Sequence, residues 1–230
     1  MKTLKNLFFG ILLFIAAVIA LAYAFNYQHL FNAIALTYLK GEASATIDDG
    51  VDFPSRNIEK GVAQPWQKDS LYNKTSLPKN IVDNLKSTNS ASFLVIKDGK
   101  LVHEEYFGEY KPTTQTNSFS MAKAITVLLM GLAIEDQKIK SENQKFADFY
   151  PNFNKVEHGN ELTLRDLAAM EAGYYWDEDY RNPFLQNPRI YYGKNMAEAL
   201  LKSPQFEAKP GSRFEYQSGA TQLLGFAIRK

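Results

Sequence analysis

Ser120 and Lys123 stand three positions apart at the head of an apolar run, Ser118 to Ile134, in which Lys123 is the single charge. Residues i and i+3 lie on one helical face, so a hydroxyl at a helix start can meet an amine one turn later. A serine hydroxyl is a weak nucleophile until a base takes its proton. A desolvated lysine is one such base, because burial disfavours the ammonium form and lowers the lysine pKa. The nearly all-apolar faces from Met121 to Ile134 predict a helix buried in a core, which would supply that desolvation. Free backbone N–H groups at the helix start would also favour the negative charge that develops on an attacked carbonyl oxygen. The competing reading is purely structural: Ser120 caps the helix and Lys123 snorkels out of it.

A second set of polar groups lies far downstream. Pro210-Gly211 turns into an extended run, Arg213 to Tyr216, followed by Gln217, Ser218 and an apolar helix from Ala220 to Ile228. Tyr216 and Ser218, two apart on extended backbone, can face one cleft, where the phenol of Tyr216 could relay a proton. Tyr175 and Trp176, followed by Asp177-Glu178-Asp179-Tyr180, are candidates for a pocket wall; an aromatic cluster beneath a surface loop is the alternative. The three histidines, His29, His103 and His158, are isolated, and Asp48-Asp49-Gly50-Val51-Asp52 lacks the spaced ligands of a calcium loop. The sequence therefore predicts no metal and no cofactor. With no cysteine, disulfides and thiol catalysis are excluded.

The remaining elements must position these groups. A chain of 230 residues suits one ordinary domain with an appendage, and its 26 basic and 25 acidic residues give no reason to expect nucleic acid. After Lys2 and Lys5, Leu7 to Phe25 is uncharged and almost wholly apolar, about 28 Å long as a helix and close to the thickness of a bilayer core. The positive-inside rule places the N-terminus in the cytoplasm and everything after the span on the extracytoplasmic, periplasmic side of the cell membrane. The alternative is secretion after cleavage near Ala22-Tyr23-Ala24. The run is longer than the usual signal core, which favours a single-pass anchor. Gln28 to Lys40 reads as a second, semi-apolar helix, Gly41 to Asn73 as an irregular connector, and Leu77 to Leu85 as a short helix. Ser92–Lys97 and Lys100–Phe107 around Asp98-Gly99 read as a β-hairpin with a type I′ turn. Thr163, with Asp166 three residues on, opens a short helix to about Met170, closed by Gly173. Asn195 caps a helix from Met196 to Lys202 that Ser203-Pro204 stops. The domain reading is an anchor or signal segment over 1–26, a juxtamembrane helix and connector over 27–75, and a catalytic domain over 76–230.

Taken in order, Ser118-Phe119-Ser120-Met121-Ala122-Lys123, Leu162 to Leu167 with Gly173, and Pro210 to Ser218 leading into Gln222-Leu223-Leu224-Gly225 resemble the serine β-lactamase-related superfamily. They are most similar to its class C-like hydrolases, which include 6-aminohexanoate-dimer hydrolases and esterases. The resemblance runs from about Phe93 to the end. It implies an α/β (α+β) β-lactamase/transpeptidase-like fold, an antiparallel sheet with a helical layer. It also implies an acyl-enzyme mechanism on amide or ester bonds of small molecules or peptides: Ser120 as nucleophile, Lys123 as base, Tyr216 as relay and the Ser120 N–H as an oxyanion donor. Ser218 stands where the family often has asparagine. No Lys/His-x-Gly strand follows Tyr216, so the expectation is a polypeptide truncated before its C-terminal strands and poorly active alone. The alternative function is a non-catalytic fragment or pseudoenzyme that binds a peptide or a partner.

Overall fold

The computed structural model describes residues 2–230 except Ala43, Arg181 and Ser203, with Lys2 described by its backbone alone. The stop expected at Ser203-Pro204 thus falls partly outside the described residues. In chain order the elements are α1 (Lys2–Ala24), α2 (His29–Leu36), β1 (Gln67–Lys68), α3 (Lys79–Ser87), β2 (Ser92–Lys97), β3 (Lys100–Tyr106), α4 (Met121–Glu135), α5 (Leu164–Ala168), α6 (Gln186–Tyr192), α7 (Met196–Leu201) and α8 (Ser218–Ile228), joined by loops and short 3-10 turns. They fall into two compact units, Thr46–Asn117 and the combination of Met1–Ala45 with Ser118–Lys230.

The smaller unit is built on the hairpin. Asp98 (φ +49°) and Gly99 (φ +73°) take the two left-handed conformations that a type I′ turn requires, and β2 pairs antiparallel with β3. A register shift opposite Val95 and Ile96 leaves Val102 as an extra residue in β3. The strand order is β1-β3-β2, and β1 runs parallel to β3, so the sheet is mixed rather than purely antiparallel. The connector expected to be irregular up to Asn73 thus contributes a strand. Asn73 extends the pairing: its N–H donates to Val102 O, its Nδ2 to Glu104 O, and its Oδ1 accepts from the Glu104 N–H. A side-chain amide here does what one more strand residue would do, satisfying part of the β3 edge.

The larger unit contains the core. Phe146, Phe153, Leu162, Leu164, Leu167, Leu200, Leu223 and Leu224 are wholly buried. α4 and α5 both pack against α8. α5 begins with a complete capping box: Thr163 Oγ1 accepts from the Asp166 N–H at 3.2 Å and the Asp166 carboxylate accepts from the Thr163 N–H at 2.9 Å. Gly173 (φ +61°) then turns the chain so closely past Ala208 that a Cβ would lie 2.2 Å from the Ala208 carbonyl oxygen; no other residue type fits. Asn195 caps α7 through the Glu198 N–H at 3.0 Å.

Two helices leave much of their apolar surface outside this core. α1 contains an apolar stretch, Thr3–Ala24, long enough to cross a bilayer and unburied by the rest of the chain; a span and a signal sequence both fit it. The expectation of a buried Ser120 helix is corrected. In α4 only Met130 is buried, whereas Met121, Ile125, Leu128, Leu129 and Leu132 are exposed. Apolarity on every face told of a helix without a polar side, and α8 covers only one of those faces.

Candidate functional site

Ser120 sits at the N-cap of α4, and its hydroxyl makes no capping bond. It is turned elsewhere. Lys123 Nζ donates to Ser120 Oγ at 3.0 Å, and the Tyr216 hydroxyl donates to the same oxygen at 2.8 Å. Lys123 Nζ also lies 5.1 Å from the centre of the Tyr216 ring, within cation–π range. Three groups separated by up to 96 positions therefore converge on one oxygen. Two donors on one hydroxyl oxygen hold it in place and would stabilise negative charge there when its proton leaves. Lys123 is half-buried, and the exposed helix does not provide the enclosure that the apolar run led one to expect.

The backbone ahead of Ser120 is unusual. Phe119 adopts φ +43°, a left-handed conformation that is costly for a bulky residue and persists only where the surroundings impose it. Its ring stacks on Tyr191 of α6 with centroids 6.5 Å apart, one visible restraint. The Ser120 N–H has no acceptor among the described residues, which leaves it available to an oxygen atom placed beside Oγ.

Tyr216 is positioned from beneath by the start of α8. Gln217 is 1 % exposed and donates from Nε2 to the Tyr174 carbonyl at 2.6 Å. Gly219 touches the Trp176 indole so closely that a Cβ would lie 2.4 Å from its Cε3. Trp176, for which the sequence offered a pocket wall or an aromatic cluster beneath a loop, is a buried support for α8. Its Nε1 donates to Glu178 at 2.6 Å. The same carboxylate accepts from the Ser218 N–H at 2.9 Å, from Ser218 Oγ at 2.5 Å and from the Tyr180 hydroxyl. Ser218, read from the sequence as facing one cleft with Tyr216, thus commits both its donors to Glu178. Tyr175 is exposed and its side chain has no hydrogen-bond partner among the described residues.

Glu178 was legible only as one acid in an acidic-aromatic run, and Gln217 not at all. Burial pushes the Glu178 carboxyl up, but the donors from Ser218, Tyr180 and Trp176 outweigh it and hold the group below its ordinary value. Burial, followed by the hydrogen bond to Glu178, pushes the Tyr180 phenol up to about 12, so it remains a donor rather than a base. Among the described residues no group of three or more His, Asp and Glu side chains converges where a metal ion could sit. The arrangement is equipped for nucleophilic attack by an oxygen, with two donors on that oxygen and a free N–H beside it.

The family model described as Beta-lactamase matches residues 78–230. Among solved structures, the chain is similar to a Bacillus anthracis protein proposed to be a 6-aminohexanoate-dimer hydrolase. The match has 24% identity and a TM-score of 0.55, covering 67% of this chain and 43% of that one. It is similar also to a Bacteroides dorei DSM 17855 protein proposed to be a beta-lactamase, at 18% identity and a TM-score of 0.54, covering 65% of this chain and 44% of that one. The chain spans less than half the length of either structure. No curated protein sequence matches it.

Proposed function

The chain belongs to the beta-lactamase family, with the fold of that family, and from this premise we propose that the protein is a membrane-anchored serine hydrolase. It forms an acyl-enzyme with amides or esters of small molecules or peptides. The observation that carries this reading is the convergence of Lys123 Nζ and the Tyr216 hydroxyl on Ser120 Oγ at 3.0 and 2.8 Å. Ser120 Oγ attacks the carbonyl carbon, and its proton passes to Lys123 Nζ. The oxyanion forms beside the Ser120 N–H. When the intermediate collapses, the bond to the amine or alcohol breaks, and the departing atom takes a proton from the Tyr216 hydroxyl, which is replenished from Lys123. Water then enters by the same route in reverse and releases the acid. Lys2 and Lys5, in the first turns of α1 and ahead of its apolar stretch, support a reading in which α1 crosses a membrane and this chemistry lies on the extracytoplasmic side. The domain reading, with an anchor over 1–26, a connector over 27–75 and the catalytic part over 76–230, belongs to the same proposal.

The test is covalent labelling with a fluorophosphonate and with penicillin, read by mass spectrometry of the peptide that bears Ser120. The expected result is an adduct on Ser120 that Ser120→Ala abolishes, with Lys123→Ala lowering the labelling rate by roughly 10²- to 10⁴-fold. An adduct that survives Ser120→Ala removes the nucleophile from the proposal. No adduct on the unaltered chain favours a binding protein without turnover.

A further inference from the structure

At the foot of α1, and apart from Ser120, a cavity of about 640 Å³ opens between the end of that helix, α2, α6 and α7. Its charged lining is one-sided: Arg189, Lys194 and Lys202 against the single carboxylate of Glu198, an excess of two positive charges. Lys202 is paired with Glu198 at 3.2 Å. Lys194 is exposed and makes no ion pair among the described residues. The Arg189 guanidinium is held over the Tyr27 ring at 5.0 Å, and its Nε is buried without an acceptor. Arg189 and Lys194, two cations on one cavity lining with no carboxylate partner among the described residues, are an arrangement that an anionic oxygen would complete. Two aromatic side chains share this lining: Tyr23, from the last turn of α1, stacks on Phe31 of α2 with ring centres 6.3 Å apart.

The position of the cavity supplies the identity of that anion. The apolar span ends at Ala24, and Tyr23, Asn26, Gln28, His29, Phe31 and Asn32 line the cavity, so with α1 in a bilayer the opening lies at the depth of the phosphate groups, where aromatic side chains also settle. We propose that this cavity binds the headgroup phosphate of an anionic phospholipid, with Arg189 and Lys194 on the phosphate oxygens and Tyr23 and Phe31 against the glycerol and upper acyl chain. The proposal rests on α1 entering the membrane and is independent of the chemistry at Ser120. Its consequence is that the segment following the span is seated on the bilayer surface and not merely tethered to it.

The full chain is reconstituted into vesicles of equimolar phosphatidylcholine and phosphatidylglycerol, extracted in mild detergent, and the retained lipid is counted by native mass spectrometry. The expected result is about tenfold enrichment of phosphatidylglycerol, lowered about fivefold by each of Lys194→Gln and Arg189→Gln, the scale of one basic group near an anionic surface. Lys138→Gln with Lys140→Gln, which removes charge away from the cavity, leaves the enrichment unchanged. Equal retention of both lipids, or an equal loss in that control pair, overturns the proposal. So does displacement of the lipid by inorganic phosphate, which would mark a site for a free anion. Failure of the chain to enter the vesicles overturns it together with the span, and labelling of Ser120 would be unaffected by either outcome.

Discussion

α4 and α8 are two apolar helices that each hold one half of the Ser120 site at their N-terminal ends, yet the core closes around only one of them. α8 buries Gly219, Ala220, Thr221, Leu223, Leu224 and Ala227; α4 buries Met130 alone. The same sequence signal, a run of apolar residues longer than two turns, precedes both outcomes. The difference lies in what each helix meets. Gly219 and Ala220 let α8 approach Trp176 and the α5 layer closely, whereas Leu128, Leu129 and Leu132 line a face of α4 that no part of the larger unit covers. The two halves of the site are consequently held in different ways. Tyr216 is fixed from below by buried contacts, and Ser120 and Lys123 are fixed by the packing of α4 on α8 and by the strained turn at Phe119.

The strongest test of that contrast is paired truncation. Leu224→Ala removes a wholly buried side chain and is expected to cost about 2–5 kcal/mol, while Leu128→Ala, on the exposed face of α4, is expected to stay within about 0.5 kcal/mol. Urea denaturation of the two variants measures both. Equal losses would break the comparison, since they would mean that the α4 face is covered in solution.

A smaller effect probes how α8 aims Tyr216. Gly219→Ala drives a methyl group into the Trp176 indole and is expected to cost about 1–3 kcal/mol, because the ring is packed and hydrogen-bonded to Glu178 and cannot swing aside. Under the proposed mechanism it also slows labelling of Ser120 without touching any reacting group. A variant as stable as the parent, labelled at the parent's rate, would show that the close approach does not set the geometry.

Much of this was readable in the residues. The hairpin turn at Asp98-Gly99, the capping box at Thr163 and Asp166 and the α7 cap at Asn195 depend on neighbours within a few positions, and local chemistry announces them. The fold class was legible through several short motifs in a fixed order. Burial of α4 was misjudged, because a helix apolar all round says that it has no preferred wet side and not how many partners it has. β1 was missed because two residues, Gln67 and Lys68, carry no period. The role of Glu178 escaped for a related reason: its donors come from Trp176, Tyr180 and Ser218, and the last lies 40 positions away.

Glu178 gives the last and smallest test. Its carboxyl is held below the ordinary glutamate range in the folded chain by donors that disperse on unfolding. A group depressed by folding contributes stability above its unfolded pKa and loses it as the pH falls through the folded value. At neutral pH, Glu178→Gln is therefore expected to lower stability by about 1–2 kcal/mol, the loss of charge-assisted hydrogen bonds partly replaced by neutral ones. On acidification from pH 5 toward pH 2, the gap between parent and variant should narrow, because the parent's carboxyl takes up a proton and becomes a neutral acceptor like the amide. Glu161, also depressed by His158 and Lys209, and Glu104, depressed by Tyr106 and Tyr72, are present in both proteins and cancel in the difference. Thermal unfolding of the pair across that range measures it. A gap that does not change with pH would mean that the α8 start is held by the shape of the contact and not by its charge, and the firm half of the site would then owe nothing to electrostatics.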